Sequence, residues 1–111
     1  RAQAAKAAPS LVVPPPTGLT QARPVDFGVA VTTRSGRVAY RATAMSTTGL
    51  RMEGPAPQVE RQLINLELEA GTKLCAAVKR CWPHQDSYVV EVQPFAIDRK
   101  TQAEWSGLLA A

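Results

Sequence analysis

From Val25 to Phe95 apolar residues recur at every second position, in short runs broken by turn residues. In "VDFGVAVTT" (25–33), Val25, Phe27, Val29 and Val31 share one face, and Asp26, Gly28, Ala30 and Thr32 share the other. A period of two is the signature of a strand with one buried side. "VAYRATAM" (38–45) repeats it with Val38, Tyr40, Ala42 and Ala44. The "RSGR" between them (34–37) reads as a tight turn, with Gly36 suited to positive φ, so the two runs predict an antiparallel hairpin.

The alternation continues past Gly49. "LRM" (50–52) predicts a short strand and "EGPAPQ" (53–58) a proline-bearing loop. "RQLINLELE" (61–69) sets Ile64, Leu66 and Leu68 inward, and "AGT" (70–72) turns the chain. "KLCAAVKRCW" (73–82) places Leu74, Ala76, Val78 and Trp82 on one face, "PHQD" (83–86) is a turn, and "SYVVEVQPF" (87–95) offers Tyr88, Val90 and Val92. The period then changes. "IDRKTQAEWSGLLA" (97–110) spaces Thr101, Trp105, Leu108 and Leu109 as on a helix, with Asp98 as N-cap and Ile97 as a hydrophobic staple before it. Gly107 weakens that helix by ~1 kcal/mol, to be offset by packing of Trp105. Six short strands need closure or a second sheet to protect their edges, and a small closed barrel is the natural solution. The expected fold is therefore all-β: a six-stranded antiparallel β-barrel with one C-terminal α-helix.

Composition sets the boundaries of this domain. Residues 1–22, with "RAQAAKAAPS" and "VVPPPTG", read as an Ala/Pro-rich tail or linker, and residues 23–111 as the barrel and helix. Nine prolines and seven glycines argue against a helical bundle. No apolar run reaches the roughly 20 residues of a membrane span, and residues 1–8 lack the apolar stretch of a signal peptide. The chain begins at Arg1, as a piece of a longer protein would. Cys75 and Cys81 lie six apart on one expected strand, so roughly 20 Å separates them, too far for a disulfide. They read as free thiols of a cytoplasmic protein.

The inventory for catalysis is thin. His84 is the only histidine and falls in the "WPHQD" turn. Cys75, Cys81 and His84 point along one strand rather than toward one metal. No nucleophile–base pair and no glycine-rich phosphate loop is present, so the chain reads as a non-enzyme without a cofactor or metal. The net charge of +4 favours anionic partners. Arg34, Arg37, Arg41 and Arg51 form a candidate basic patch beside the turn Ser46-Thr47-Thr48-Gly49, whose hydroxyls and backbone N–H groups suit a base or a phosphate. With six Phe, Tyr and Trp residues, mostly on apolar faces, a nucleic-acid-binding barrel has few stacking platforms.

Around that turn the sequence resembles the PilZ family, bacterial domains that bind cyclic di-GMP. "AMSTTGLRM" (44–52) resembles the family's DxSxxG motif, with Ser46 and Gly49 matching and Leu50 at the apolar position after it. "LINLELEAGTKLCAAVKRCW" (63–82) resembles the strand pair that follows. "YVVEVQPFAI" (88–97) resembles the last barrel strand, with Phe95 matching and Val92 at a glycine position. The likeness covers residues 19–110.

Besides Val92, two positions depart from the pattern. The family's RxxxR segment corresponds to "LTQAR" (19–23), where Arg23 matches the second arginine but Leu19 stands at the first. The literal "RVAYR" (37–41) has the spacing but lies inside a strand. Ala44 replaces the acidic residue that would accept hydrogen bonds from a guanine edge. Losing one arginine and one acceptor weakens binding by about 3–6 kcal/mol, or two to four decades. The resemblance therefore implies a regulatory module acting through a protein partner or adjacent domain, with weak or absent nucleotide binding. Arg23, Ser46 and Gly49 are its tentative ligand residues, and Arg41 and Arg51 are substitutes for the missing charge. Motility, pili, surface attachment and exopolysaccharide are the outputs the family implies. A working cyclic di-GMP receptor and a basic nucleic-acid-binding barrel are the alternatives.

Overall fold

The structure, a computed structural model, describes residues 22–110. Each alternating run becomes a strand: β1 (Arg23–Thr33), β2 (Gly36–Met45), β3 (Leu50–Gly54), β4 (Leu63–Leu68), β5 (Lys73–His84) and β6 (Ser87–Pro94), followed by α1 (Arg99–Ala110). The tail expected over residues 1–22, Leu19 included, lies outside the described residues apart from Ala22.

The strands close into a barrel in the order β1-β2-β3-β6-β5-β4, antiparallel at every step. Closure is made by β1 and β4, where Val29 to Thr32 face Leu68 to Asn65. Inside lie Val29, Val31, Ala42, Ile64, Leu66, Leu68, Ala76, Val78, Val90 and Val92, so the inward sets read from β1, β4 and β5 are largely realised. Each fully buried Val, Leu or Ile contributes about 1.5–3 kcal/mol relative to leaving it in water.

Two bulges change which side chains face in. Between Ala42 and Ala44 the β2–β3 register slips, and Met45 enters the core while Ala44 stays half-buried. Between Val78 and Arg80 the β5–β6 register slips as well. Cys81 then packs against the core, and Trp82, expected inward, sits half-buried with arginines against its ring. An extra residue in one strand reverses the alternation beyond it, which period counting alone cannot detect. The β6 strand departs too: Val89 to Val92 are all buried, and Tyr88, expected inward, is half-buried.

The turns are tighter than expected. Pro83 and His84 belong to β5, His84 pairs with Ser87, and the hairpin loop is Gln85–Asp86. Gly36 has a φ of 130°, as its place in "RSGR" requires.

One end of the barrel is crossed by residues 55–62, which carry the chain from β3 to β4. Tyr40 pins this crossing: its hydroxyl donates to the Ala56 carbonyl and accepts from Gln58 Nε2 at 2.9 Å. Burial pushes the Tyr40 phenol above its usual range, opposed by the Gln58 hydrogen bond. The Gln58 N–H points at Cys81 Sγ, 3.5 Å away. Both cysteines are free thiols. The opposite end carries α1. Asp98 caps it by accepting from the Thr101 N–H at 2.7 Å, a bond that holds the Asp98 carboxyl below the usual carboxylate range. Ile97, the expected staple, packs against the core.

Candidate functional site

The turn between β2 and β3 is built from its own hydrogen bonds. The Ser46 N–H donates to the Gly49 carbonyl at 2.9 Å, closing the four-residue loop. Ser46 Oγ accepts from the Thr48 N–H at 3.2 Å, a serine turn of the kind the sequence favours. The Ser46 carbonyl accepts from Trp105 Nε1 at 2.9 Å, and Ser46 is buried to 1% exposure. Gly49 is buried as well, whereas Thr47 and Thr48 are exposed. The motif serine thus ties the loop to α1, and its polar atoms face inward.

Register places the other candidates around this turn. Arg23 pairs with Met45, and Ala44 pairs with both Pro24 and Arg51. The fold therefore gathers Arg23, Ser46, Gly49 and Arg51 at one end of β1, β2 and β3. Arg41 lies farther along the wall, opposite Gly28 and Glu53.

Each of the three arginines has a partner within the chain. Arg23 Nη1 donates to the Leu109 carbonyl in the last turn of α1. Arg41 Nε donates to Asp26, and this bond with its charge holds the Asp26 carboxyl below its usual range and the guanidinium above its own. Arg51 reaches Glu91 Oε2 through Nε at 3.0 Å and Nη2 at 2.8 Å. The Glu91 side chain is only 2% exposed, against 28% for Arg51. A carboxylate so deeply buried is strongly destabilising without a hydrogen-bonded cation beside it.

The Arg51–Glu91 pair belongs to a row the sequence reading missed. Glu91 lies opposite Arg51 on β3 and opposite Arg80 on β5. The Arg51 and Arg80 guanidinium carbons stand 6.0 and 5.6 Å from the Trp82 ring centre, within cation–π range. The signal was present as a lone acid inside the apolar run "YVVEVQP". Of the remaining basic patch, Arg37 pairs with Glu67 at 3.1 Å on the surface.

A groove of about 580 Å³ runs between Thr32, Thr33, Arg34, Gln62, Leu63 and Asn65, where β1 and β4 part beyond their last paired residues. Among the described residues no three His, Cys, Asp or Glu side chains are grouped to hold a metal, and no helix is long and apolar enough to cross a membrane.

A closed six-stranded antiparallel barrel with a C-terminal helix docked on the β2–β3 turn defines a PilZ-like fold. Among solved structures the chain is similar to the Bacillus subtilis inhibitor of motility (MotI/DgrA), a PilZ-family protein, with a TM-score of 0.63 and 12% identity. The match covers 80% of this chain, which spans about half, 47%, of that protein. At that identity the likeness is one of fold. No family model matches the sequence, and no curated protein does.

Proposed function

We propose that this chain is a non-catalytic PilZ-like regulatory module of bacterial cyclic di-GMP-related signalling. It acts in the cytoplasm by contacting a protein partner or an adjacent domain, with an output such as motility, pili, surface attachment or exopolysaccharide. The observation that carries the reading is that the groups a nucleotide would need are already engaged within the chain. Arg51 neutralises Glu91, Arg41 holds Asp26, Arg23 caps α1, and Ser46 is tied to Thr48 and Trp105. At the position of the motif's acid, Ala44 has no acceptor for a guanine edge. The fold likeness to a motility inhibitor supports a regulatory role of this kind.

Calorimetric titration with cyclic di-GMP tests it. The expected result is no saturable heat below millimolar nucleotide; a dissociation constant under about 10 µM overturns the reading in favour of a working receptor. Leu19→Arg together with Ala44→Asp restores both missing groups, and binding should then appear. No gain from the double change means that the Ser46–Gly49 loop is only a turn.

A further inference from the structure

Among the described residues, the large apolar side chains left exposed are Val59, Leu63 and Phe95, at 69%, 49% and 50%. They are aligned rather than scattered. Leu63 lies opposite Ala77 on the outer face of β4 and β5, and the Phe95 N–H donates to the Cys75 carbonyl at 2.9 Å. The Val59 carbonyl accepts from the Gln62 N–H at 3.2 Å, which sets Val59 just ahead of Leu63. Cys75 and Ala77 are half-buried, while Leu74, Ala76 and Val78 alternate with them into the core. The outer wall thus carries one apolar stripe, from Phe95 past Cys75 and Ala77 to Leu63 and Val59. A hollow of about 430 Å³, lined by Thr32, Asn65, Lys73 and Cys75 among others, runs beside it. Apolar side chains scattered singly over a surface need no partner, but a contiguous stripe marks a contact.

The size of the stripe limits its occupant. Four residues of β5 by two strand spacings make about 13 Å by 10 Å, on the order of 130 Å². A stable complex between folded proteins covers about 800 Å² on each side. A second copy would also bring Lys73 and Lys79, both exposed at the rim, toward the same cations. What fits is three or four extended residues with apolar side chains and no charge. The chain holds such a segment. Leu11-Val12-Val13 is the longest apolar run in residues 1–21, and residues 7–22 carry no charge. Its reach is sufficient. Arg23 lies opposite Met45, Met45 opposite Leu50 and Leu50 opposite Val92. Three strand spacings, and the step from Val92 along β6, put Phe95 at most about 24 Å from Arg23. Residues 14–22, with three prolines at their start, extend to about 28 Å.

We propose that the outer face of β4 and β5 is a docking stripe for a short extended apolar segment, and that Leu11-Val12-Val13 of the same chain occupies it. The docking does not depend on the regulatory reading above.

Alkylation of the two thiols by iodoacetamide, followed residue by residue by mass spectrometry in the full chain, tests the proposal. Cys75 reports cover of the stripe, and Cys81, packed against the core, reports global opening in the same molecule. With Leu11→Ser, Val12→Ser and Val13→Ser together, Cys75 should react about three- to ten-fold faster than in the unaltered chain, with Cys81 unchanged. Leu63→Ser with Phe95→Ser should also speed Cys75, and the three tail serines should then add nothing further.

Equal Cys75 rates in the unaltered and triple-serine chains overturn the proposal. A parallel rise at Cys81 overturns it too, because the change is then global opening rather than local cover. Full additivity of the tail and stripe changes places the tail elsewhere and has the same force. Protection that survives the tail serines and grows with protein concentration assigns the stripe to a second copy instead. Each of these failures leaves the regulatory reading standing, since that reading is decided by the cyclic di-GMP titration.

Discussion

Gly54→Ala is expected to destabilise the domain although nothing in the local backbone forbids alanine. The φ of Gly54 lies outside the left-handed region, so the backbone would accept a Cβ. In an unstrained strand the change from Gly to Ala gains about 0.5–1 kcal/mol. The obstacle is Tyr40, whose ring lies over Gly54. An added Cβ would sit 2.4 Å from Cδ2 and 2.7 Å from both Cε2 and Cγ of that ring. Carbon pairs prefer about 3.5–4.0 Å, so the ring must move by roughly 1 Å. Tyr40 is buried, and its hydroxyl holds Ala56 and Gln58 in the crossing loop. Overpacking of a filled core costs about 1–3 kcal/mol. Two strained hydrogen bonds add about 1 kcal/mol each. Set against the alanine gain, the net loss is about 2–4 kcal/mol. Urea unfolding followed by tryptophan fluorescence reads it as a lowered midpoint at constant slope. The decisive step is a double-mutant cycle. In a Tyr40→Ala background, with trimethylamine N-oxide added to both chains to keep them folded, Gly54→Ala should be neutral or stabilising. An equal loss in both backgrounds, or none in the unaltered chain, refutes the argument.

The left-handed φ of 54° at Ala96 is unfavourable for a residue with a Cβ, so Ala96→Gly should raise the unfolding free energy by up to about 1 kcal/mol, read in the same urea titration. Arg51→Ala removes the two hydrogen bonds that Arg51 gives the buried Glu91 carboxylate and should cost about 3 kcal/mol, the low end for a broken buried pair because Arg51 is partly exposed; Arg41→Ala, on an exposed pair, should leave the midpoint close to the original. Asp98 and Asp26 are both held below the ordinary carboxylate value of 3.8, so their stabilisation is complete above that value and is lost as pH falls through the lowered folded values. Asp98→Asn keeps a capping acceptor that does not titrate, so thermal melts from pH 5 to pH 2 should show a shallower acid decline than the unaltered chain; an unchanged slope refutes the cap's role.

Most of the barrel could be read from period two, because a half-buried strand must alternate and six short strands must protect their edges, by closure or by a second sheet. The inward sets of β1 and β4 follow from that rule alone. The places where it failed have a shared physical origin. Met45, Cys81 and Trp82 all lie beyond a bulge, and a bulge is a property of two strands in register rather than of one strand's composition. The capped helix was legible because Asp98 and Ile97 act locally on the turn that follows them. The candidate site was legible only in part. Arg23, Ser46, Gly49 and Arg51 lie at one end of β1, β2 and β3, but their engagement within the chain could not be foreseen. The partners Leu109, Trp105 and Glu91 stand 86, 59 and 40 residues away in the chain, and only closure brings them near. Glu91 stood out as an acid among valines, yet nothing local says that Arg51 answers it.

The contact between Arg23 and Leu109 also means that the first strand and the last helical turn meet at one pole of the barrel. A fold whose way in and way out adjoin can be spliced into a surface loop of a larger host without stretching it. The same arrangement governs its response to tension. A pull applied at the two flanks loads the Arg23–Leu109 bond first and Trp105 next, peeling α1 away like the end of a strip of tape. The antiparallel ladders, pulled only after that, would still be closed.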